Sequence, residues 1–509
     1  MPASLLPGDR AVHSQRTPQI GHSHGLGRRD RQHHVGAARL MQYWWAPPRL
    51  RRWEEDAEEE IHEHWIEIFN DLILVAFLSN LSKVLVIKGP AIVSLIVIFF
   101  NVLQPMHAVS VAVNLFRTDD LASLFLLILV TTGTFTMADA LHFSEHTTWP
   151  TPLFDAGIIM SCVGQLVFLC HAAIFIPSGR SFIGVGALVL IARIALSSQR
   201  PRLLPMCDEL FGVHCVAILY SVDMVTSSLY ILVGSKATTL IPLVSISHIN
   251  ERLRNLVMIA VGEWVIQVMG MYLTEGELYF VLSQLFLCFG MSLQFFNTRP
   301  HHFDMQMLLR SPLHAALGIF LHYLLAFCLW LVGTGVEIEV HVEDARTHGG
   351  HGGDAEEEFA LWSPGEGVVL SSVALTCSQL LILVLRHMWK EDVLRRDMRP
   401  GYKFWFRVAL SSAHLLVPLG GWLFDNYGTA FWMHGALIAP QVLADLSVFS
   451  DTMGHPALIE AVTRARAFRF FGSAAHTGSA GSPTELELEI GPRATSADVG
   501  RDQHARGRG

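Results

Sequence analysis

Leu121-Ala-Ser-Leu-Phe-Leu-Leu-Ile-Leu-Val-Thr-Thr-Gly-Thr-Phe-Thr-Met-Ala-Asp-Ala-Leu141 carries a single charged residue, Asp139, and that one lies near its end. Wound as a helix rising about 1.5 Å per residue, the stretch is as long as the hydrocarbon core of a bilayer is thick, roughly 30 Å. A helix also satisfies its own backbone hydrogen bonds, which lipid cannot do for it. The run is one of many. Of 509 residues, 51% are hydrophobic and only 16% are charged, where soluble domains carry roughly 25%. No single water-soluble core hides so many apolar runs. The fold class is therefore all-α, a polytopic helical transmembrane bundle.

Counting runs of membrane-spanning length gives twelve predicted spans: 65–87, 90–116, 121–141, 153–176, 181–196, 211–233, 253–273, 278–297, 312–335, 368–388, 404–424 and 430–450. The fifth is the shortest. Pro105 and Pro418 predict kinks in the second and eleventh, since proline cannot donate within a helix. With the N-terminus in the cytoplasm, the inner connectors hold Arg117, Arg180, Lys236, Arg252, Arg254, Arg299, Arg310, Lys390, Arg395, Arg396, Arg399 and Lys403. The outer ones hold Lys88, Arg200, Arg202 and Arg346. This asymmetry is the one the positive-inside rule expects, and it places both termini in the cytoplasm. Six spans lie on each side of 234–250, which permits two six-helix halves, although no repeat is clear.

Three domains follow from composition. Residues 1–60 form a disordered tail, basic and then acidic, without the apolar core of a signal peptide. Residues 61–455 form the membrane domain, with an acidic, His-bearing outer loop at 336–365. Residues 456–509 form a largely disordered cytoplasmic tail, rich in Gly, Ser and Arg with little apolar content. The seven cysteines all fall in or beside apolar segments, as packing residues rather than a disulfide framework or a metal knuckle. No basic patch is interleaved with aromatics, which excludes nucleic acid as a partner. The partners expected are the bilayer, a small ion or solute of unknown identity, and a second copy of the chain if it self-associates. No cofactor motif is present.

Ionisable groups within apolar spans carry the functional signal, since each costs about 2.5–3.5 kcal/mol at a helix centre on insertion scales. The first span opens Trp65-Ile66-Glu67-Ile68-Phe69-Asn70-Asp71-Leu72. Glu67 and Asp71 share one helical face and repel each other unless a cation stands between them. The seventh span is entered through Ser247-His248-Ile249-Asn250-Glu251-Arg252 and holds Gly262-Glu263-Trp264 with Gln267 a turn on. On a continuous helix His248, Arg252, Glu263 and Gln267 fall in one sector. Glu263, near mid-depth, is the most expensive carboxylate in the chain. Asp223 lies deep in the sixth span. Asp139, Asp155, Arg193, Asp445 and the scattered His214, His322, His414 and His434 read first as satisfied packing groups.

These two stretches resemble the low-temperature-requirement A (LtrA) membrane proteins. Glu67, Phe69, Asp71, Leu72, Val75, Ala76 and Leu81 match the family's first-span pattern, and His248, Glu251, Arg252, Ile259, Gly262 and Glu263 match its central motif. The resemblance extends from Glu63 to about Ser450. Asn80 and Lys83 stand where the family commonly has Gln and His, and Trp264 follows Gly-Glu where it has a small polar residue. The second span holds Asn101, Gln104 and His107 in place of the family's usual tryptophans. The resemblance implies a multi-pass membrane fold and no settled activity.

Acids at successive depths suggest proton- or ion-coupled transport or conduction, with Asp71, Glu263 and Asp223 as exchange sites. The competing reading is that Glu67, Asp71, Glu251, Arg252 and Glu263 form a structural ion-pair network without transport. A transition-metal transporter, suggested by His22, His24, His33, His34, His62 and His64, lacks paired ligands at helical spacing. An intramembrane enzyme lacks any G-x-S-x-G, H-E-x-x-H or phosphate-loop motif, so the chain reads as no enzyme and as holding no metal. Three contacts are expected. The first and seventh spans pack with Arg252 among the acids, Glu263 lies away from any arginine and exchanges a proton, and Lys83 pairs with Asp139 or Asp155.

Overall fold

The computed structural model describes residues 49–50, 65–88, 92–117, 120–143, 152–175, 180–211, 221, 246–269, 275–296, 312–348, 362–363, 365–390, 402–419 and 433–441. The chain divides into Met1–Asp445 and Leu446–Gly509. Everything described belongs to the first unit.

The apolar runs form helices α1 (Trp65–Lys88), α2 (Ile92–Leu115), α3 (Leu121–Phe143), α4 (Pro152–Phe175), α5 (Arg180–Phe211), α6 (Ile246–Met269), α7 (Glu275–Phe296), α8 (Pro312–His348), α9 (Glu366–Lys390) and α10 (Tyr402–Ala413), followed by α11 (433–441). Among the described residues, the non-helical pairing is a two-residue antiparallel bridge of Arg49 and Leu50 with Arg117 and Phe116. Among the described residues, seven helices are long and apolar enough to cross a membrane: Trp65–Ile87, Ile92–Asn114, Leu121–Leu141, Pro152–Phe175, Ile183–Leu203, Leu313–Val342 and Glu366–Arg386. Their outward faces carry Leu72, Phe125, Ile174, Leu188, Leu313 and Val373, all exposed, an apolar surface that suits lipid and not water. The chain is a multi-pass integral membrane protein.

Three helices hold the centre. Glu67 meets His248, Asp71 meets Arg252 and Ser82 meets Gln267, so α1 and α6 ascend together and run parallel. Leu78 and Ser82 meet Trp330 and Thr334 in the same order, which makes α8 parallel to both. Phe77, Phe99 and Phe327 pack ring to ring around this trio, the last two with centroids 5.2 Å apart. Lipid offers no hydrophobic drive between helices, so close packing and interhelical hydrogen bonds must hold them. The crossings are correspondingly built on small residues. A Cβ on Gly133 of α3 would lie 2.7 Å from the Gly157 carbonyl oxygen of α4, and one on Gly335 of α8 would lie 2.7 Å from that of Gly367 on α9. Only glycine lets the backbones approach so closely.

The structure corrects three expectations. The outer loop set at 336–365 begins later, because α8 continues through His348. Val336, Ile338 and Val342 extend its buried face, and both Glu339 carboxylate oxygens accept the Gly365 N–H that opens α9, at 3.1 and 3.0 Å. The fifth span is longer than 181–196. Arg200, assigned to a connector, lies fully buried within α5, where its guanidinium donates to Asp155 of α4. That pairing removes the charge penalty that ended the span in a count of apolar letters. It also uses Asp155, so Lys83 does not pair with it. Instead the charge of Lys83 acts on Glu263 and Glu337.

Of the two prolines, Pro105 lies inside a continuous α2. Near Pro418 the helix tightens into a 3-10 turn at His414–Leu416, starting at the carbonyl that the proline ring cannot serve. The sixth span, most of the twelfth, the end of the eleventh, residues 349–361, the remainder of both tails and Asp223 lie outside the described residues.

Candidate functional site

Two polar layers are stacked along the α1–α6–α8 trio. The first lies at the N-terminal ends of α1 and α6. The turn between Glu67 and Asp71 puts both acids on the face that meets α6, and the same spacing aligns His248 with Arg252. Arg252 grips Asp71 with both prongs of its guanidinium, at 2.5 Å to Oδ1 and 3.0 Å to Oδ2. Its Nε lies 3.6 Å from Glu67 Oε1, and its second prong also reaches the Glu67 backbone carbonyl at 3.4 Å. His248 Nε2 donates to the same Glu67 carboxylate oxygen across 3.0 Å. Glu67 is wholly buried and His248 nearly so. A planar fork matched to a carboxylate is the geometry that favours arginine over lysine, and a charge-assisted pair of this kind is a strong hydrogen-bonding unit. Glu251 lies outside this knot, half-buried on the flank of α6, with Arg254 a turn away as its opposite charge.

The Asp71–Arg252 pair forms one wall of a cleft of about 50 Å³ among four helices. Leu74 of α1, Leu103 and Met106 of α2 and Leu256 of α6 make it mostly apolar, while His107 and Tyr323 add polar edges. Those two rings touch edge to face, with centroids 6.0 Å apart.

The second layer lies farther along the same helices. Lys83 is roughly 18 Å beyond Asp71 at about 1.5 Å per residue. Here Ser82 Oγ accepts from Gln267 Nε2 at 2.5 Å and from Trp330 Nε1 at 2.8 Å, and stands 2.9 Å from Thr334 Oγ1. Glu263, one turn before Gln267, is buried to 1% exposure, and its Oε2 has no hydrogen-bond partner among the described residues. Glu337, one turn beyond Thr334, is half-buried and also keeps an unpartnered Oε2. Lys83 is exposed at the edge of this layer and attracts both acids. Passing inward, the order is an exposed ammonium, a half-buried carboxylate and a buried one.

The two layers differ in chemistry. In the first, each charge meets an opposite charge at contact distance. In the second, two carboxylates share the field of one lysine without a contact ion pair. Among the described residues, no three His, Cys, Asp or Glu side chains come together as metal ligands.

The sequence pointed to Glu67, Asp71, His248, Arg252 and Glu263, and the structure places the first four in one cluster and Glu263 in the other. Glu337 was missed because it was read as part of a loop. Val336, Ile338, Val340 and Val342 alternate with polar residues, a period of two that does not signal a helix, so the sequence did not show that α8 continues. The Arg200–Asp155 pair was missed too, although each residue stands about twenty residues from the connector that joins these two consecutive helices, which sets them at one depth when the helices run antiparallel. A third polar group joins Arg193 of α5 to Gln104 and Asn101 of α2, the latter at 3.3 Å, and Gln104 continues to Gln165 of α4 at 3.3 Å.

No match was found among curated proteins or among solved structures. Over residues 63–439, a span that includes both layers, the chain matches the family described as bacterial low temperature requirement A protein (LtrA), and it belongs to that family.

Proposed function

We propose that this chain is a proton- or ion-coupled transporter or channel for a small solute or ion, with Glu263 as the exchange site. The observation that carries this reading is a carboxylate buried to 1% exposure inside a membrane protein with one oxygen left unpartnered. A buried acid without a contact cation is costly in the membrane interior, and such groups are characteristic of proton and ion pathways. Glu337 and Lys83 supply the adjoining steps toward the surface. The cleft beside Asp71 and Arg252 is the place where a small, partly apolar solute would enter.

The network reading keeps a specific support of its own, because Glu67, Asp71, His248 and Arg252 are mutually paired at contact distance. The two readings apply to different layers. The first layer fixes how α1 and α6 pack, and the second carries charge. Under this proposal Asp71 is a structural acid, and the role of Asp223 remains that of a further exchange site. The activity is transport rather than catalysis, since neither layer places a nucleophile beside a base.

Twelve crossings in two six-helix halves, with both termini cytoplasmic, complete the proposal. The parallel course of α1 and α6 supports an even number of crossings before α6, as the twelve-span layout requires. Five helices precede α6 among the described residues, and without a further crossing α6 would run against α1. The test is flux in proteoliposomes holding the purified protein, driven by a proton gradient and then by gradients of common cations. Proton or cation movement above that of empty liposomes is expected, and its absence for every ion tried overturns the reading.

A further inference from the structure

A second buried polar chain lies away from both layers, among α7, α9, α10 and α11. Its members are Gln294 of α7, Ser372 and Gln379 of α9, His414 in the turn after α10, and His434 and Gln441 of α11. Each of the six is at most 4% exposed. Their hydrogen bonds run in one direction. Gln294 Nε2 donates to Gln441 Oε1 at 3.0 Å, and Gln441 Nε2 donates to Gln379 Oε1 at 3.1 Å. Gln379 thus turns its amide nitrogen to His414 Nε2 at 3.0 Å.

The tautomers follow from that contact. An amide nitrogen only donates, so His414 Nε2 accepts and the neutral ring carries its proton on Nδ1. That Nδ1 faces His434 Nδ1 at 2.8 Å, so it donates there and His434 carries its own proton on Nε2. His434 Nε2 then donates to Ser372 Oγ at 3.0 Å, and the hydroxyl donates onward to the Val368 carbonyl at 2.6 Å. The two imidazoles lie nearly stacked, with centroids 5.0 Å apart and planes inclined by 29°. One proton, and only one, fits between the two Nδ1 atoms.

We infer that His414 and His434 form a proton-binding site separate from the Glu263 layer, an imidazole pair that holds one proton between its rings and takes up a second by separating them. A proton on His414 Nε2 would face the Gln379 amide nitrogen and require the buried amides of Gln379, Gln441 and Gln294 to turn over in sequence. The second proton therefore goes to Nδ1 of His434, the lone pair that accepts from His414. Once it is there, two N–H groups face each other at a distance that suits one hydrogen bond, and the rings must part. Glutamine would meet the same donors and acceptors without being able to gain a proton, as the three glutamines of this chain do. Imidazole is the side chain whose charge changes near neutral pH. Among the described residues, Ser372 and Gln379 of α9 hydrogen-bond to the pair, with Gln441 of α11 and Gln294 of α7 behind them. Proton uptake therefore loosens α10 and α11 from α9.

The experiment is solid-state NMR of the full-length protein, labelled with ¹⁵N-histidine and held in lipid bilayers, titrated from neutral to acid. At neutral pH we expect two neutral rings of opposite tautomer and a cross-peak between their Nδ1 nitrogens. On acidification that cross-peak should vanish together with the conversion of one ring to imidazolium. His434→Gln should fold, lose the cross-peak at neutral pH and leave His414 without the linked change. The inference is overturned if both rings stay neutral while the exposed histidines charge. It is also overturned if a ring gains its proton with the cross-peak intact, or if no Nδ1–Nδ1 cross-peak exists at neutral pH in wild type.

Discussion

Arg252 shows what one residue does here. It closes two carboxylates of α1 at once, and removing it takes the guanidinium from both Asp71 and Glu67 within the membrane domain. Breaking a buried pair by deleting one partner costs about 3–5 kcal/mol. Arg252→Ala should therefore lower the thermal unfolding midpoint of the purified protein sharply and reduce its yield. Arg252→Lys should recover only part of the loss, because an ammonium cannot span both Asp71 oxygens. Equal stability of Arg252→Ala and wild type would remove this layer's structural role. The pairing was legible in the sequence because two acids a turn apart demand a cation, and the motif around His248 offered one at the same spacing. The neighbours of Lys83 were not legible. Side-chain partners across helices depend on which faces meet, and a single sequence does not give rotation about a helix axis.

At the scale of the element, hydropathy located the helices well and their ends less well. Trp65–Lys88, Leu121–Phe143 and Pro152–Phe175 begin and end close to the predicted spans, since long apolar runs leave the backbone no other satisfied state in lipid. The boundaries failed where charged residues enter a helix. Arg200 continues α5 because Asp155 meets it, and Glu337 and Glu339 continue α8 past the point where a count of apolar letters stops. Helix crossings were silent in the sequence as well, since a glycine reads alike whether it faces a helix or lipid. Gly335→Val tests one crossing. Its side chain would meet the Gly367 carbonyl at 2.7 Å, and overpacking of this kind costs about 1–3 kcal/mol. The variant should be less heat-stable than wild type, whereas Gly184→Val, where nothing lies within 4 Å of the added carbon, should not be. Indistinguishable melting of the two would contradict the close α8–α9 approach.

For the whole molecule, the proposed function divides labour between a paired layer that holds α1 against α6 and an under-paired layer that would move charge. The direction of the membrane enters through the Lys/Arg asymmetry. A cysteine placed at Gly350 should react with an impermeant reagent only from outside the cell, and one at Arg396 only from the cytoplasm. The reverse pattern inverts the topology. The central claim is that Glu263 carries charge rather than holds helices, and one measurement tests it most directly. Proton-driven flux is compared in proteoliposomes of wild type and Glu263→Gln, at matched amounts of folded protein. The account predicts a Glu263→Gln protein that melts close to wild type and has lost flux to the level of empty liposomes. A variant that keeps its flux, or one that unfolds as readily as Arg252→Ala, contradicts it.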